Sequence, residues 1–406
     1  SNINDSYSTQ NVSTNTNTNQ VGGLVGYANN STISNSYATG TVSGGYDVGG
    51  VVGRLTNNST IVSGSYYGGT SISGTRNIGG LVGSDYLDLG NNNSQNSGLH
   101  DTSTYISNSF YNADSVSING SKYVTLGAMY NKQFTDWIKP SGNNRAALVA
   151  SNRFGIADIN GYYGITASNI EFVLGYAYHD GIKFKLTQDI DLSNIAHSDG
   201  TTGNLSQWHL AQFGRMGANG ASFDGAGFTL SNPNVTQTFN NDIGLFGRVV
   251  NAEVKNLNIN ISSLGAATLG GYANVGTLAG YNHAGTINNI NIFNSTVTGG
   301  STSYTSVGGL VGYSKANSTI SNINSSSTPL TANVSSNGYY VGGLVGYNDS
   351  TTISNANTNV TLGGSGYNYF GGLVGYNTAS NISNSTTTGS ISGTSRNYIG
   401  GVVGYN

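Results

Sequence analysis

The chain has 406 residues, of which 61 are glycine, 27 tyrosine, three proline and none cysteine. Only 8% are charged and the formal net charge is −3, against about a quarter charged in an average soluble protein. This balance excludes a disulfide framework and a basic nucleic-acid-binding face, and no apolar run reaches the ~18 residues of a membrane helix. Low charge with 36% hydrophobic residues argues for packing rather than disorder. Abundant Gly, Asn, Ser, Thr and β-branched residues disfavour helix.

The chain opens on Ser1-Asn2-Ile3-Asn4-Asp5-Ser6-Tyr7, and a glycine phrase, GGLVG or a near variant, follows at Gly22, Gly49 and Gly79. It returns as IGLFG from Ile243 and GTLAG from Gly276, then at Gly308, Gly342, Gly371 and Gly400. The spacings are 27 and 30 residues in the first group and 33, 32, 34, 29 and 29 in the second. A second phrase follows the first: STISNS at Ser31, STISNI at Ser318, TTISNA at Thr351 and SNISNS at Ser380. A looser third phrase reads TVSG at Thr41 and SISG at Ser390. Apolar residues alternate with small polar ones inside each phrase, which predicts three short strands per unit with Gly, Asn and Ser at the corners.

No such unit can bury its own apolar residues, so neighbouring units must stack like on like. The expected fold is all-β, a parallel β-helix (β-solenoid) of ~30-residue coils with a less regular centre. The expected inward stacks are Leu24, Ile33 and Val42 in the first unit, Leu310 with Ile320, Leu344 with Ile353, and Leu373, Ile382 and Ile391 near the end. Tyrosine follows the glycine phrase at Tyr27, Tyr281, Tyr313, Tyr347, Tyr376 and Tyr405, with Arg54, Ser84 and Arg248 in the other units. That column reads first as a structural stack and second as an aromatic sugar-binding strip. Asparagines at corners are expected to form amide ladders.

The GGLVGYN…STISNSYATGTVSG wording resembles the GLUG-motif repeats of large bacterial surface proteins. These include filamentous-haemagglutinin-like adhesins and the non-catalytic part of some IgA-cleaving metallopeptidases. Phe110-Tyr111-Asn112 through Phe134-Thr135-Asp136-Trp137 resembles the exit from such an array, and Phe184 to Ser193 resembles the phrase that begins a new one. Phe223 to Leu230 and Gly244 to Gly247 then follow in the family's order. The resemblance implies the end of a first array at 1–83, its exit and a junction at 84–155, irregular coils leading into a second array at 156–243, and that array at 244–406. Charge supports the division: residues 84–243 hold 21 of the 31 charged side chains. Short helices are expected at Leu126–Tyr130 and Ser168–Leu174.

Enzymatic signatures are sparse. There is no H-E-x-x-H, no G-x-S-x-G and no phosphate loop, so the peptidase activity of some GLUG-bearing proteins does not carry over. Asp189 and Asp191 flank Ile190 and project to one face of a strand; with Asp224 they are the one acidic group with the makings of a calcium site or a glycosidase pair. The simpler reading is three junction-stabilising carboxylates. No catalytic residue, metal site or cofactor is expected, and the chain is not expected to be an enzyme.

The expected function is an extracellular or cell-surface stalk or fibre, with a polysaccharide-binding or polysaccharide-cleaving β-helix as the alternative. The expected partners are further copies stacked end to end and host-cell or matrix glycans and proteins, with no nucleic acid and no membrane span. Joining GGVVGYN at the C-terminus to SNINDSYSTQNVS at the N-terminus gives one proper unit. That junction is expected of a piece of a longer array, or of a 406-residue super-repeat.

Overall fold

The computed structural model describes residues 1–56, 60–62, 65–86, 109–111, 116–118, 156–170, 173, 182–196, 202–203, 213, 220–232, 242–261, 264–265, 273–293, 295–299, 305–325, 330–334, 340–364, 369–393 and 398–406. They belong to two compact units. The first comprises Ser1–Gly155, Phe172–His179 and Arg215–Gly217; the second comprises Ile156–Glu171, Asp180–Gly214 and Ala218–Asn406. The helix expected at Leu126–Tyr130 and the Phe134–Trp137 phrase lie outside the described residues.

Each unit is a parallel β-solenoid. In the first, the glycine phrase forms two strands rather than one, Asn19–Gly22 and Val25–Asn29, which meet at the Gly-Gly corner. Thr32–Ser34, Tyr37–Ala38 and Val42–Ser43 complete the turn, so a coil here has five short strands where the phrases predict three. Asn35, between Thr32–Ser34 and Tyr37–Ala38, has φ 47°, and Asp5, its counterpart one coil earlier, has φ 50°. That left-handed conformation is tolerated best by Gly, Asn and Asp. At the other corner, a Cβ on Gly22 would overlap the carbonyl oxygen of Val25, so the turn requires glycine.

Coils stack in register. Ile33 pairs with Ile3 and Ile61, and Val42 with Val12 and Ile72. Ile33, Val42, Val51 and Ile72 are all buried. Leu24 is half-buried, because the glycine-phrase strands around it pair on one side alone, where its N–H donates to the Val51 carbonyl at 3.0 Å.

The second unit merges the second and third phrases in part, so its coils have three or four strands. Tyr340–Gly342, Val345–Asp349 and the 13-residue Thr352–Gly364 make one coil, and Ala273–Gly276, Ala279–His283, Thr286–Phe293 and Thr296–Gly299 make another. Its inward column runs Val254, Ile287, Ile320, Ile353, Ile382. Leu310, Ile320, Leu344, Ile353 and Leu373 have no exposed surface, whereas Ile382 and Ile391 on the last coil are half-buried. Truncating one fully buried Ile or Leu to Ala costs about 2–5 kcal/mol. Along the long strand the buried positions run Ile353, Ala356, Thr358, Val360, Leu362. The single three-residue step falls at Asn355, whose φ is 53°. Ile33, Ser36, Ala38 and Val42 trace the same path in the first unit, so both units use one coil geometry.

Tyr162–Ile165, Lys183–Leu186 and Ala221–Asp224 add parallel strands to the same sheet as Ala252–Asn260. Here Phe213, Phe223 and Phe246 form a buried cluster of tilted and edge-on rings. The pair Ile195–Ala196 with Thr202–Gly203 is antiparallel. Of the helix expected over Ser168–Leu174, the described residues show one turn. The Ile170 N–H donates to the Thr166 carbonyl at 3.0 Å, and Asn169 Oδ1 accepts from the Thr166 N–H at 2.8 Å. The capping position is therefore Thr166, two residues before Ser168.

Candidate functional site

The acidic group is spent on turns. Asp189 Oδ1 accepts from the Thr229 N–H of the next coil at 2.7 Å. Asp191 Oδ1 accepts from the Ser193 N–H at 2.9 Å, the Ser193 hydroxyl at 2.7 Å and Asn232 Nδ2 at 3.2 Å. The Ser193 hydroxyl, against the opposing effect of burial and with help from the Ser193 N–H and the Asn232 amide, holds the Asp191 carboxyl below its usual range. Asp224 Oδ1 accepts from the Ala226 N–H at 2.8 Å and from Asn256 Nδ2 at 3.0 Å. Asp189 and Asp191 are exposed on either side of buried Ile190. These contacts are those of Asx turns and coil-to-coil bridges. Among the described residues no three His, Asp or Glu side chains converge as a metal site would require.

The outward surface is organised in columns. Left-handed asparagines Asn256, Asn289, Asn322 and Asn355 stand one above another. Their amides bond from coil to coil: Asn289 Nδ2 donates to Asn256 Oδ1 at 2.8 Å, Asn355 Nδ2 to Asn322 Oδ1 at 3.2 Å, and between them Asn322 Nδ2 donates to the neighbouring Asn288 Oδ1 at 2.8 Å. A ladder lies inside the corner after the tyrosine, where Asn348 donates to Asn377 at 2.9 Å and Asn377 to Asn406 at 2.8 Å.

The tyrosine column runs Tyr281, Tyr313, Tyr347, Tyr376, Tyr405 in register. Tyr27 belongs to the first unit, where its register partner is Arg54. Tyr347 lies 4.9 Å from Tyr376 and Tyr376 4.8 Å from Tyr405, ring on ring. The sequence reading missed a second column, Tyr340, Tyr369, Tyr398, that interlocks with the first. Tyr369 stacks on Tyr398 at 4.9 Å and meets Tyr376 edge-on at 5.5 Å. It also missed Tyr7, Tyr37 and Tyr66, stacked at 5.2 and 4.7 Å in the first unit. The signal was present, since these positions recur at the repeat spacing just before and well after the glycine phrase. Burial pushes the Tyr281, Tyr313 and Tyr347 phenols up, with neighbouring tyrosines or Asp349 adding to it.

Where the column is interrupted, charge is buried. Arg54 pairs with Asp47 at 2.6 Å, and Asp47 is 2% exposed. Arg248 makes the equivalent pair with Asp242. Beside it, Tyr281 is buried between Arg248 and Lys315, each cation 5.8 Å from the ring, and stacks on His283 at 6.2 Å. A shallow cleft of about 530 Å³ lies along the last coil, lined by Asn377, Ile382, Asn384 and Val402 among others.

The geometry is that of a repeat protein whose side chains bond along the axis, coil to coil. Two segments, residues 17–43 and 366–392, match the family described as the GLUG motif. One match falls in each unit, so the chain carries the GLUG motif in both. No curated protein and no solved structure gives a significant match.

Proposed function

We propose that this chain is a non-enzymatic structural and adhesive element, a stalk or fibre segment of a bacterial protein that works outside the cell or on its surface. The observation that carries the reading is the use of outward polar groups. Asn–Asn amide bonds, the Ser43–Ser73 hydroxyl pair and stacked tyrosines run from coil to coil, and Ser–Asn bonds such as Ser34 to Asn4 do the same, which favours length and stiffness over a convergent pocket. Low charge and the lack of cysteine fit an environment where neither ion pairs nor disulfides are needed. Among the described residues no helix is long and apolar enough to cross a membrane. Host or matrix glycans and proteins would be met on broad faces.

Stacking of copies end to end belongs to the same proposal. Residues 1–6 and 380–385 have the same local conformation. Asp5 and Asn384 have φ 50° and 46°, and the Ser6 and Ser385 hydroxyls donate to the Asn4 and Ser383 carbonyls at 2.9 and 2.7 Å. Set in register, Ile3 lies on Ile382 and Val12 on Ile391. Electron microscopy of the 406-residue chain tests this. Filaments with a layer spacing near 4.8 Å support it, and isolated short rods at every concentration overturn the stacking while leaving the stalk reading.

A further inference from the structure

The stacked tyrosines present a chemistry that neither the stalk reading nor the GLUG motif assigns. Of the Tyr–Tyr pairs on adjacent coils whose rings are nearly parallel, three have both residues half-buried. Tyr37 and Tyr66 are 4.7 Å apart with planes 8° from parallel, Tyr347 and Tyr376 are 4.9 Å and 11°, and Tyr340 and Tyr369 are 5.5 Å and 22°. All six are half-buried, so each ring is fixed by its neighbours yet keeps an edge in solvent. Parallel stacking hides the ring faces, which is the surface a sugar would need. What the stack does not cover is the ring edge, which carries the hydroxyl and the ring carbons beside it. The chain has no cysteine to compete as a reductant.

We propose that these pairs are sites of oxidative tyrosine–tyrosine cross-linking, which rivets adjacent coils of one chain in place of disulfides. The co-reactant is hydrogen peroxide turned over by a haem peroxidase. Each phenol of a pair loses one electron to the oxidant and its hydroxyl proton to water. The two phenoxyl radicals then join through a ring carbon adjacent to oxygen. Each joined carbon releases its hydrogen as a proton, and each oxygen takes one up, so both phenols are restored. The chain loses two hydrogen atoms per bond, and one peroxide is reduced to two waters. Holding the radicals in contact makes the coupling effectively unimolecular and favours it over coupling between chains. The proposal holds whether or not copies stack end to end, because both rings of a pair belong to one chain.

The test uses the 406-residue chain, dilute, with a haem peroxidase and limiting peroxide. Expected is a product that runs as a single chain on a denaturing gel, carries the blue fluorescence of dityrosine, and yields cross-linked peptides joining Tyr37 to Tyr66, Tyr340 to Tyr369 and Tyr347 to Tyr376. Tyr37→Phe keeps the ring and the stack but removes the phenol. It should abolish the first-unit product and leave the two second-unit products at full yield. The same treatment in urea gives the pattern of an unordered chain. Cross-links found only between chains, a folded pattern as scattered as the urea pattern, no dityrosine at all, or an undiminished first-unit product in Tyr37→Phe would each overturn the proposal.

Discussion

Arg54 occupies a tyrosine position, and its replacement tests how the columns are kept. Arg54→Tyr alone would extend the ring column from Tyr27, its register partner. It would also strand Asp47, whose side chain is 2% exposed against 25% for Arg54. Removing one partner of a buried pair costs about 3–5 kcal/mol, because the remaining charge keeps its desolvation without its counter-ion. Adding Asp47→Asn removes that charge. Asparagine tolerates the φ of 51° at this position, and the double variant copies the Asn274–Tyr281 spacing found in the second unit. The double should therefore lie within about 1 kcal/mol of the parent, although it changes two buried positions. Urea unfolding followed by circular dichroism, on the parent, both singles and the double, gives the coupling energy; we expect at least ~2–4 kcal/mol in favour of the double. If the two changes add to within about 0.5 kcal/mol, the ion pair is not what fixes these positions, and the reasoning fails.

At the asparagine column, Asn322→Ala should lower stability by ~2–3 kcal/mol, from a left-handed alanine plus lost amide bonds, and Asn322→Gly by about 1 kcal/mol less, because glycine removes the backbone strain. Urea midpoints decide, and equal losses would rule out the backbone as the cause. Burial, and then Lys315, hold the His283 ring below its ordinary value. The folded state therefore resists a proton that the unfolded chain accepts: stability is intact above about pH 6.5 and erodes as pH falls. His283→Phe should flatten the slope of urea midpoint against pH between about 7 and 5. Each coil-to-coil cross-link closes a loop of 29 residues, so a chain carrying one should unfold with about 3–4 kcal/mol more stability than the untreated chain.

The solenoid was legible because its signal is the repeat itself. Ile320, Ile353 and Ile382 recur at the same place in the second phrase, and the structure stacks them. The count of strands per coil was not legible in either unit. Asn35 and Asn322 occupy the same slot of similar wording and have similar φ, yet one ends a three-residue strand and the other lies inside a seven-residue one. What differs is the company: Tyr37 and Gly40 follow in the first unit, Ile323 and Asn324 in the second. The asparagines of sequons such as Asn30, Asn317 and Asn384 also have a backbone reason that composition hides, since all three are left-handed corner residues. The carboxylates were legible as a group on one side of the chain but not as turn caps. Their partners Thr229 and Asn232 lie about 40 residues downstream, one coil away.

A solenoid constrains where any site can form. Every outward position belongs to a column, and a column is stable when its members are alike: amide on amide, ring on ring. A convergent site needs unlike groups facing one another, so it must break a column and offset the lost stacking locally. The described residues break columns mainly at Asp47 with Arg54 and around Asp242, Arg248, Tyr281, His283 and Lys315, and at both places the break is closed by an ion pair. At the second, the cations lie against the Tyr281 ring from the coils on either side. These are stable interruptions of the pattern. A third mixed place, where Glu253 pairs with Lys255 at 2.6 Å and accepts from the Ser222 hydroxyl at 3.0 Å, is closed in the same way, so among the described residues unlike groups in a column bond one another, and the chemistry they show is that of stacking.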